Sequence, residues 1–315
     1  MKKLITLLLV LVLLLCACGT EQTPLEQTAA YLKKATPEPT FGSLTGDWTV
    51  FGLARSDIRI RETYYDTYYK NVAAAVTEKD GKLSETKYTE YSRLVLALTA
   101  IGRDPRDVGG YDLLVPLADL DRVTAQGVNG AIFALLALDS KNYEIPVNLE
   151  AGTQATRELY VEEILKREIP TGGWALTGGE PDVDVTAMAL QALAKYREDA
   201  NVLAAVERGV AALADLQEPN GAYTSWGEEN SESVSQVIVA LTELGISLDD
   251  ARFVKNSETL EQVLLRFVQE DGSFRHTADG KSDEMATEQA LYALVSISRA
   301  QNGSTTLYDM TDMAQ

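Results

Sequence analysis

Apolar positions along the chain recur with helical spacing in six segments, each ending in a small residue followed by Leu. They contain Gly52-Leu53, Ala97-Leu98, Ala137-Leu138, Ala192-Leu193, Ala240-Leu241 and Ala293-Leu294, at intervals of 45, 40, 55, 48 and 53 residues. Each repeat holds a second segment of helical pattern, at about 22–36, 64–79, 110–119, 153–167, 203–217 and 257–269. Polar and Gly/Pro-rich joints such as Gly102 to Pro105 and Glu218-Pro219-Asn220-Gly221 separate them. The pattern predicts twelve helices in six pairs and no convincing strand. A period that wanders this far suits a closed ring better than an open solenoid, because joints at the rims of a ring tolerate insertion. The expected fold is all-α, an α6/α6 toroid of six inner and six outer helices.

Two faces mark the inner helices. Counted from the small residue before Leu, positions −6, −3 and +1 read Thr186/Ala189/Leu193, Val234/Val237/Leu241, Thr287/Ala290/Leu294 and Ala131/Ala134/Leu138. That is a face for close helix packing. Positions −8, −4 and −1 carry a second face: Asp184/Met188/Gln191, Glu232/Gln236/Val239, Met285/Gln289/Tyr292, Asn129/Phe133/Leu136, Thr89/Arg93/Leu96 and Leu44/Trp48/Phe51. An enclosed helix should not carry Arg93, Gln236 and Gln289 there unless they meet water, a ligand or one another. The lining expected for a central cavity is therefore Trp48, Phe51, Arg93, Asn129, Phe133, Asp184, Gln191, Glu232, Gln236, Gln289 and Tyr292. Tyr223, Trp226 and Asp283, in the joints, are expected at its rim.

The N-terminus adds an address. Lys2 and Lys3 precede an apolar run from Leu4 to Leu15, too short to span a bilayer comfortably. It ends in Leu15-Cys16-Ala17-Cys18-Gly19, which resembles the bacterial lipoprotein box. The resemblance implies cleavage before Cys18 and lipidation of its sulfur. The expected organisation is a signal peptide over 1–17, lipidated Cys18 with a tether to 25, a toroid over 26–300 and a tail over 301–315. The protein is then exported and held on the outer side of the cell membrane through its lipid alone.

Composition narrows the chemistry. Lys plus Arg is 28 against 47 for Asp plus Glu, a net charge of −19. Loss of Lys2 and Lys3 with the leader makes it −21. Phosphate backbones are repelled, so no nucleic-acid partner is expected. Two Cys and one His, His276, cannot assemble a Cys/His metal site, so no metal is expected.

Three repeats carry a Gly-aromatic signature before the inner helix: Gly172-Gly173-Trp174, Gly221-Ala222-Tyr223 and Gly272-Ser273-Phe274, two of them preceded by Gln217 and Gln269. This resembles the Gln-Trp repeat of squalene cyclases and of the related prenyltransferase and cobalamin-carrier toroids. The resemblance spans roughly residues 22–300 and implies a structural role for these residues. The stretches Val-Gln-Glu-Asp-Gly-Ser-Phe (268–274) and Glu284 to Leu294 are most similar to bacterial prenyltransferase-repeat proteins, and through them to the helical domain of intrinsic factor and transcobalamin.

That resemblance makes a cobalamin-type corrinoid one possible ligand, although the carriers close over it with a second domain. No cofactor is firmly implied. Asp182-Val183-Asp184-Val185-Thr186-Ala187 resembles the Asp-x-Asp-Asp-Thr-Ala segment of squalene–hopene cyclases, which implies Asp184 as a general acid and Asp182 as its helper. Val185 stands where that motif has a third Asp. The plainer reading is that both carboxylates serve the first turn of a helix. Asp184 and Glu232 share position −8 on successive inner helices, a placement open to an inverting glycosidase pair. The expected function is binding of a bulky ligand or a protein partner at the cavity and rim by a monomer. A terpene cyclase-like or carbohydrate-active enzyme using Asp184 is the alternative.

Overall fold

A computed structural model describes residues 22–313. The leader and Cys18 lie outside the described residues. Among those described, twelve α-helices follow one another: α1 (Pro24–Ala35), α2 (Trp48–Arg55), α3 (Glu62–Glu78), α4 (Thr89–Ala100), α5 (Leu120–Thr124), α6 (Val128–Asp139), α7 (Arg157–Lys166), α8 (Val183–Leu193), α9 (Ala200–Leu216), α10 (Ser231–Glu243), α11 (Leu260–Leu264) and α12 (Glu284–Gln301). The even-numbered helices are those ending in the small-Leu pair. Each packs against the next, and α12 packs against α2, so the ring closes. The odd-numbered helices lie outside it. This is the α/α toroid that the repeat predicts.

Side-chain caps set many helix starts. Thr23 and Thr259 form capping boxes with Glu26 and Gln262, and Asp119, Thr156, Asp182, Asp199, Asn230 and Asp283 each accept from a backbone N–H of the first turn. The small-residue face packs as expected: Ala131, Ala134, Ala189, Val234, Val237 and Ala290 are fully buried. At Gly130 in α6, an added Cβ would sit 1.9 Å from the carbonyl oxygen of Val123 in α5. A backbone atom cannot turn away as a side chain can. Gly130→Ala should therefore lower stability by about 1–2 kcal/mol, overpacking outweighing the gain of about 1 kcal/mol in helix propensity. Thermal denaturation checks this; an unchanged or raised melting temperature would refute it.

The Gly-aromatic joints wedge between repeats. Trp174, Tyr223 and Phe274 are fully buried; Trp174 Nε1 donates to Ile164 O (2.7 Å) and Tyr223 Oη to Leu213 O (3.0 Å). Gln217 Nε2 donates to Gly221 O and Phe253 O, and Gln269 Nε2 to Ser273 Oγ. Thr186 and Thr287 accept from the backbone N–H of Trp174 and Phe274, which gives these small positions a polar task.

Three expectations are corrected. Residues 110–119 are not a helix: Gly109 and Gly110 take positive φ, and Pro116 begins a short 3-10 turn that leads into α5. The span 257–269 shortens to α11 and one 3-10 turn over Leu265–Phe267. Two antiparallel hairpins do form at the joints, β1 (Thr224–Ser225) with β2 (Glu228–Glu229), and β3 (Phe274–Arg275) with β4 (Ser282–Asp283). The tail, over 302–313, folds onto the ring. Leu307, Tyr308 and Met310 are buried, and the segment lies across the C-terminal ends of the inner helices. There Arg55, Ser140 O, Lys141, Glu243 and Arg299 bond to it. One end of the ring is thereby sealed, and the end where the inner helices begin stays open.

Candidate functional site: a bowl at the open rim

The −8/−4/−1 stripe converges inside the ring. Trp48 meets Phe51, Phe133 and Tyr292 with ring centroids 5.7, 6.1 and 5.9 Å apart, joining α2, α6 and α12 across the axis. Gln191 Nε2 donates to Gln236 Oε1 (3.0 Å), and Gln236 Nε2 donates to Gln289 Oε1 (2.9 Å) and Tyr292 Oη (2.7 Å). Gln191, Gln236, Tyr292 and Phe51 are buried, with Phe51 stacked on Tyr308 of the sealing segment. Above them Trp48, Phe133, Met188 and Gln289 are only partly buried, and Leu44 and Met285 are exposed. Most of the polar stripe is thus satisfied internally, and it makes the floor of a bowl instead of lining a through-going channel.

Arg93 is tied down. Its Nε donates to Asp47 Oδ2 (2.7 Å), and Tyr68 Oη donates to Asp47 Oδ1 (2.6 Å). Burial raises the Asp47 pKa, against the pull of Arg93 and Tyr68. On the adjoining helix α12, Glu288 accepts from Thr45 N (3.0 Å) and Thr49 Oγ1 (2.5 Å), and burial pushes its pKa up to about 7. The folded chain then holds that proton more tightly than the unfolded chain, whose value is near 4.5. The stabilisation is complete below about pH 4.5 and is lost as pH rises to about 7, on the order of 3 kcal/mol. Glu288→Gln should flatten that slope in urea titrations from pH 4.5 to 8; an unaltered slope would assign the titration elsewhere.

One side of the rim differs. A cleft of about 480 Å3 runs between Asn129, Asp184, Met188, Leu176 and Trp226. The Asp182 carboxylate caps α8, accepting from Val185 N (2.9 Å). Asp184 Oδ2 accepts from Ser225 Oγ (3.1 Å), the Ser233 hydroxyl faces the same carboxyl, and the Asn129 Oδ1 of the cleft is buried without any partner. Burial raises the Asp184 pKa to about 6; Asp182 and Glu232 add to the rise, against the hydroxyls of Ser233 and Ser225. The cleft is open and partly polar, unlike the dry, closed pocket that an alkene-protonating acid needs.

Glu232, on α10, is buried and holds His276 Nδ1 at 2.8 and 2.9 Å through its two oxygens. Burial opposes charge on His276, yet Glu232, Asp283 and Glu228 outweigh it and raise its pKa. Asp283 caps α12 through Ala286 N and faces the rim only in part. Tyr223, expected at the rim, is instead the buried wedge. Trp226 is on the rim, 91% exposed at the tip of the β1–β2 hairpin. Its φ of +54 and that of Gly227, +89, form a two-residue primed turn, in which Asn or Gly ordinarily takes the first position. Among the described residues no cluster of His, Cys, Asp and Glu is arranged to hold a metal ion, and no helix is long and apolar enough to cross a membrane.

No family model and no curated protein matches the chain. Several solved structures share its fold. Protein geranylgeranyltransferase-I of Candida albicans, complexed with GGPP, is 12% identical with a TM-score of 0.59, over 91% of this chain and 95% of that one. The unsaturated glucuronyl hydrolase of Bacillus sp. GL1, responsible for the degradation of glycosaminoglycan, is 14% identical with a TM-score of 0.57, over 90% and 97%. At such identities the likeness shows the fold, an α/α toroid.

Proposed function

We propose that this chain is an exported, lipid-anchored toroid that binds a bulky, hydroxyl-rich ligand of glycan type at the open rim. The observation that carries the reading is the buried, partnerless acceptor Asn129 Oδ1 beside the Asp184 carboxyl, in a cleft next to the exposed ring of Trp226. A buried acceptor without a donor costs about 1–3 kcal/mol. Ligand hydroxyls would relieve that cost while a sugar face lies on the indole. The net charge of −19 favours neutral over anionic ligands.

Trp226 separates binding from stability. Trp226→Asn places a residue suited to the first position of the turn, so stability should hold or rise by a few tenths of a kcal/mol. Affinity should fall roughly thirtyfold, the loss of an aromatic anchor worth about 2 kcal/mol. Tryptophan emission and thermal shift with neutral oligosaccharides, an isoprenoid diphosphate and a corrinoid provide the test. Oligosaccharides should shift both signals in the wild type and neither in the variant. No response to any of the three would end the reading, and a response to the corrinoid or isoprenoid alone would replace the ligand class.

A second reading rests on a further observation, the unequal settings of two carboxyls on neighbouring helices. Asp184 is held toward its protonated form, and Glu232 lies against the histidine whose charge it favours. A proton-holding carboxyl with a second carboxyl on the neighbouring helix is the equipment of glycoside hydrolysis.

A further inference from the structure

Trp48, Arg93 and Gln289 hold the same −4 position on α2, α4 and α12, neighbours in the closed ring. Each is only partly buried, and each keeps an N–H group that meets no acceptor among the described residues. A relay orients Gln289. Gln191 Nε2 donates to the backbone carbonyl of Gln236 (3.1 Å), which fixes the Gln191 amide, since only its N–H groups can do so. Gln236 must then turn Oε1 to Gln191 (3.0 Å) and Nε2 to Gln289 Oε1 (2.9 Å). Gln289 Nε2 is left over, at the surface of the bowl. Arg93 gives Nε to Asp47 and keeps both Nη groups, with its guanidinium 5.9 Å from the Phe41 ring. Trp48 Nε1 is the third donor, on an indole packed against Phe51, Phe133 and Tyr292.

The carboxylates on this side are already engaged. Asp47 accepts from Arg93, Tyr68 Oη and Gly42 N, and Glu288 from Thr45 N and Thr49 Oγ1. Unspent donors on one wall thus face Asn129 Oδ1 and the Asp184 carboxyl on the other. The walls are close. Phe133 is 6.1 Å from Trp48, and Asn129 stands one helical turn, about 5.4 Å, nearer the mouth on the same face of α6. A ligand across the bowl therefore needs an acceptor, with an apolar group beside it, at the end remote from Asp184. A carboxylate would meet no net positive charge there, because Asp47 neutralises Arg93 and the chain carries −19 overall. A neutral carbonyl fits. We propose, resting on the glycan reading, that the ligand is an N-acylated glycan of the 2-acetamido sugar class. Its hydroxyls go to Asn129 and Asp184, its acetamido carbonyls accept from Trp48, Arg93 and Gln289, and the acetyl methyls lie against the rings of Trp48 and Phe133.

Calorimetric titration with triacetylchitotriose, cellotriose and trigalacturonate, in about 0.15 M salt to screen the acidic surface, tests it. The acetylated trimer should bind about tenfold or more tightly than cellotriose, the weight of one or two added hydrogen bonds, and trigalacturonate most weakly. Trp48→Phe keeps an aromatic ring and loses the N–H, and Gln289→Glu keeps an oxygen for Gln236 and loses the donor. Each should cut the preference for the acetylated trimer about threefold or more, with cellotriose affinity held within about twofold. A variant that merely loosened the bowl would weaken both trimers together and leave their ratio alone. Equal affinity for the acetylated and cellulosic trimers, tighter binding of trigalacturonate, or a ratio unmoved in both variants would overturn this inference and leave the glycan reading standing. Silence from all three trimers would end both.

Discussion

Truncation after Gly303 should lower the melting temperature by more than about 10 °C, or abolish cooperative unfolding altogether. Three side chains, Leu307, Tyr308 and Met310, would leave the core, each worth about 1.5–3 kcal/mol of burial. The polar loss is of similar weight. Arg55 is 1% exposed and donates to Leu307 O (2.9 Å), Thr306 O (2.8 Å), Asp309 O (2.8 Å) and Asp312 Oδ1 (2.8 Å). Arg299 reaches Thr305 O (2.8 Å) and Asp312 Oδ2 (2.5 Å). Without the segment, both guanidiniums lose these partners, Arg299 keeping only Arg55 O, and the breaking of a single such buried pair costs about 3–5 kcal/mol. The total approaches the entire stability of a typical domain, about 5–15 kcal/mol. Circular dichroism melts and limited proteolysis of the truncated chain provide the measurement. A melt within about 3 °C of the full chain would mean that the ring is stable without its seal.

This segment also shows where sequence reading stops. Helices announce themselves because their apolar residues recur with a period, and all six inner helices were legible on that ground. Leu307, Tyr308 and Met310 have no period, and their segment is held through carbonyl groups whose partners, Arg55 and Arg299, lie in distant helices. Residues 110–119 mislead in the opposite way. Their apolar content suits a helix, but paired glycines and Pro116 break the backbone.

At the bowl, the stripe of Gln191, Gln236, Gln289 and Tyr292 was legible because one helical face must converge with its neighbours in a closed ring. That these amides satisfy one another was not, since it depends on ångström distances between helices. The pairing of Glu232 with His276 spans 44 residues and joins a helix to a hairpin, with no spacing rule to reveal it. Asp47 escaped notice for a related reason. It follows a turn in which Thr45 takes a φ of +53, outside the helical register that marked Arg93. Tyr223 was legible as a wedge from its Gly-aromatic context, and its rim placement failed because the same context buries it.

If the rim hydrolyses glycosides, Asp184→Asn should reduce kcat by about 10^2 to 10^4 fold and leave ligand affinity within a few-fold. The acid must hand a proton to the glycosidic oxygen as its bond to the anomeric carbon breaks. Water attacks that carbon and gives its own proton to Glu232. Asn can keep the hydrogen bond from Ser225 but has no proton to donate. Burial, with Asp182 and Glu232 assisting, places the Asp184 pKa at about 6, so the active form is lost as pH rises through that value. The rate should fall tenfold per pH unit above about 6 and become nearly flat, at a low level, in the Asn variant. Glu232→Gln should abolish turnover and release His276 to titrate lower, because the carboxylate that favours its charge is gone. Reducing-end release from the neutral oligosaccharides that bind, followed from pH 4 to 8, is the assay. Binding without turnover in the wild type, or turnover that survives Asp184→Asn, would leave the rim a recognition surface. The raised Asp184 carboxyl would then serve only to set the pH range over which ligand is held.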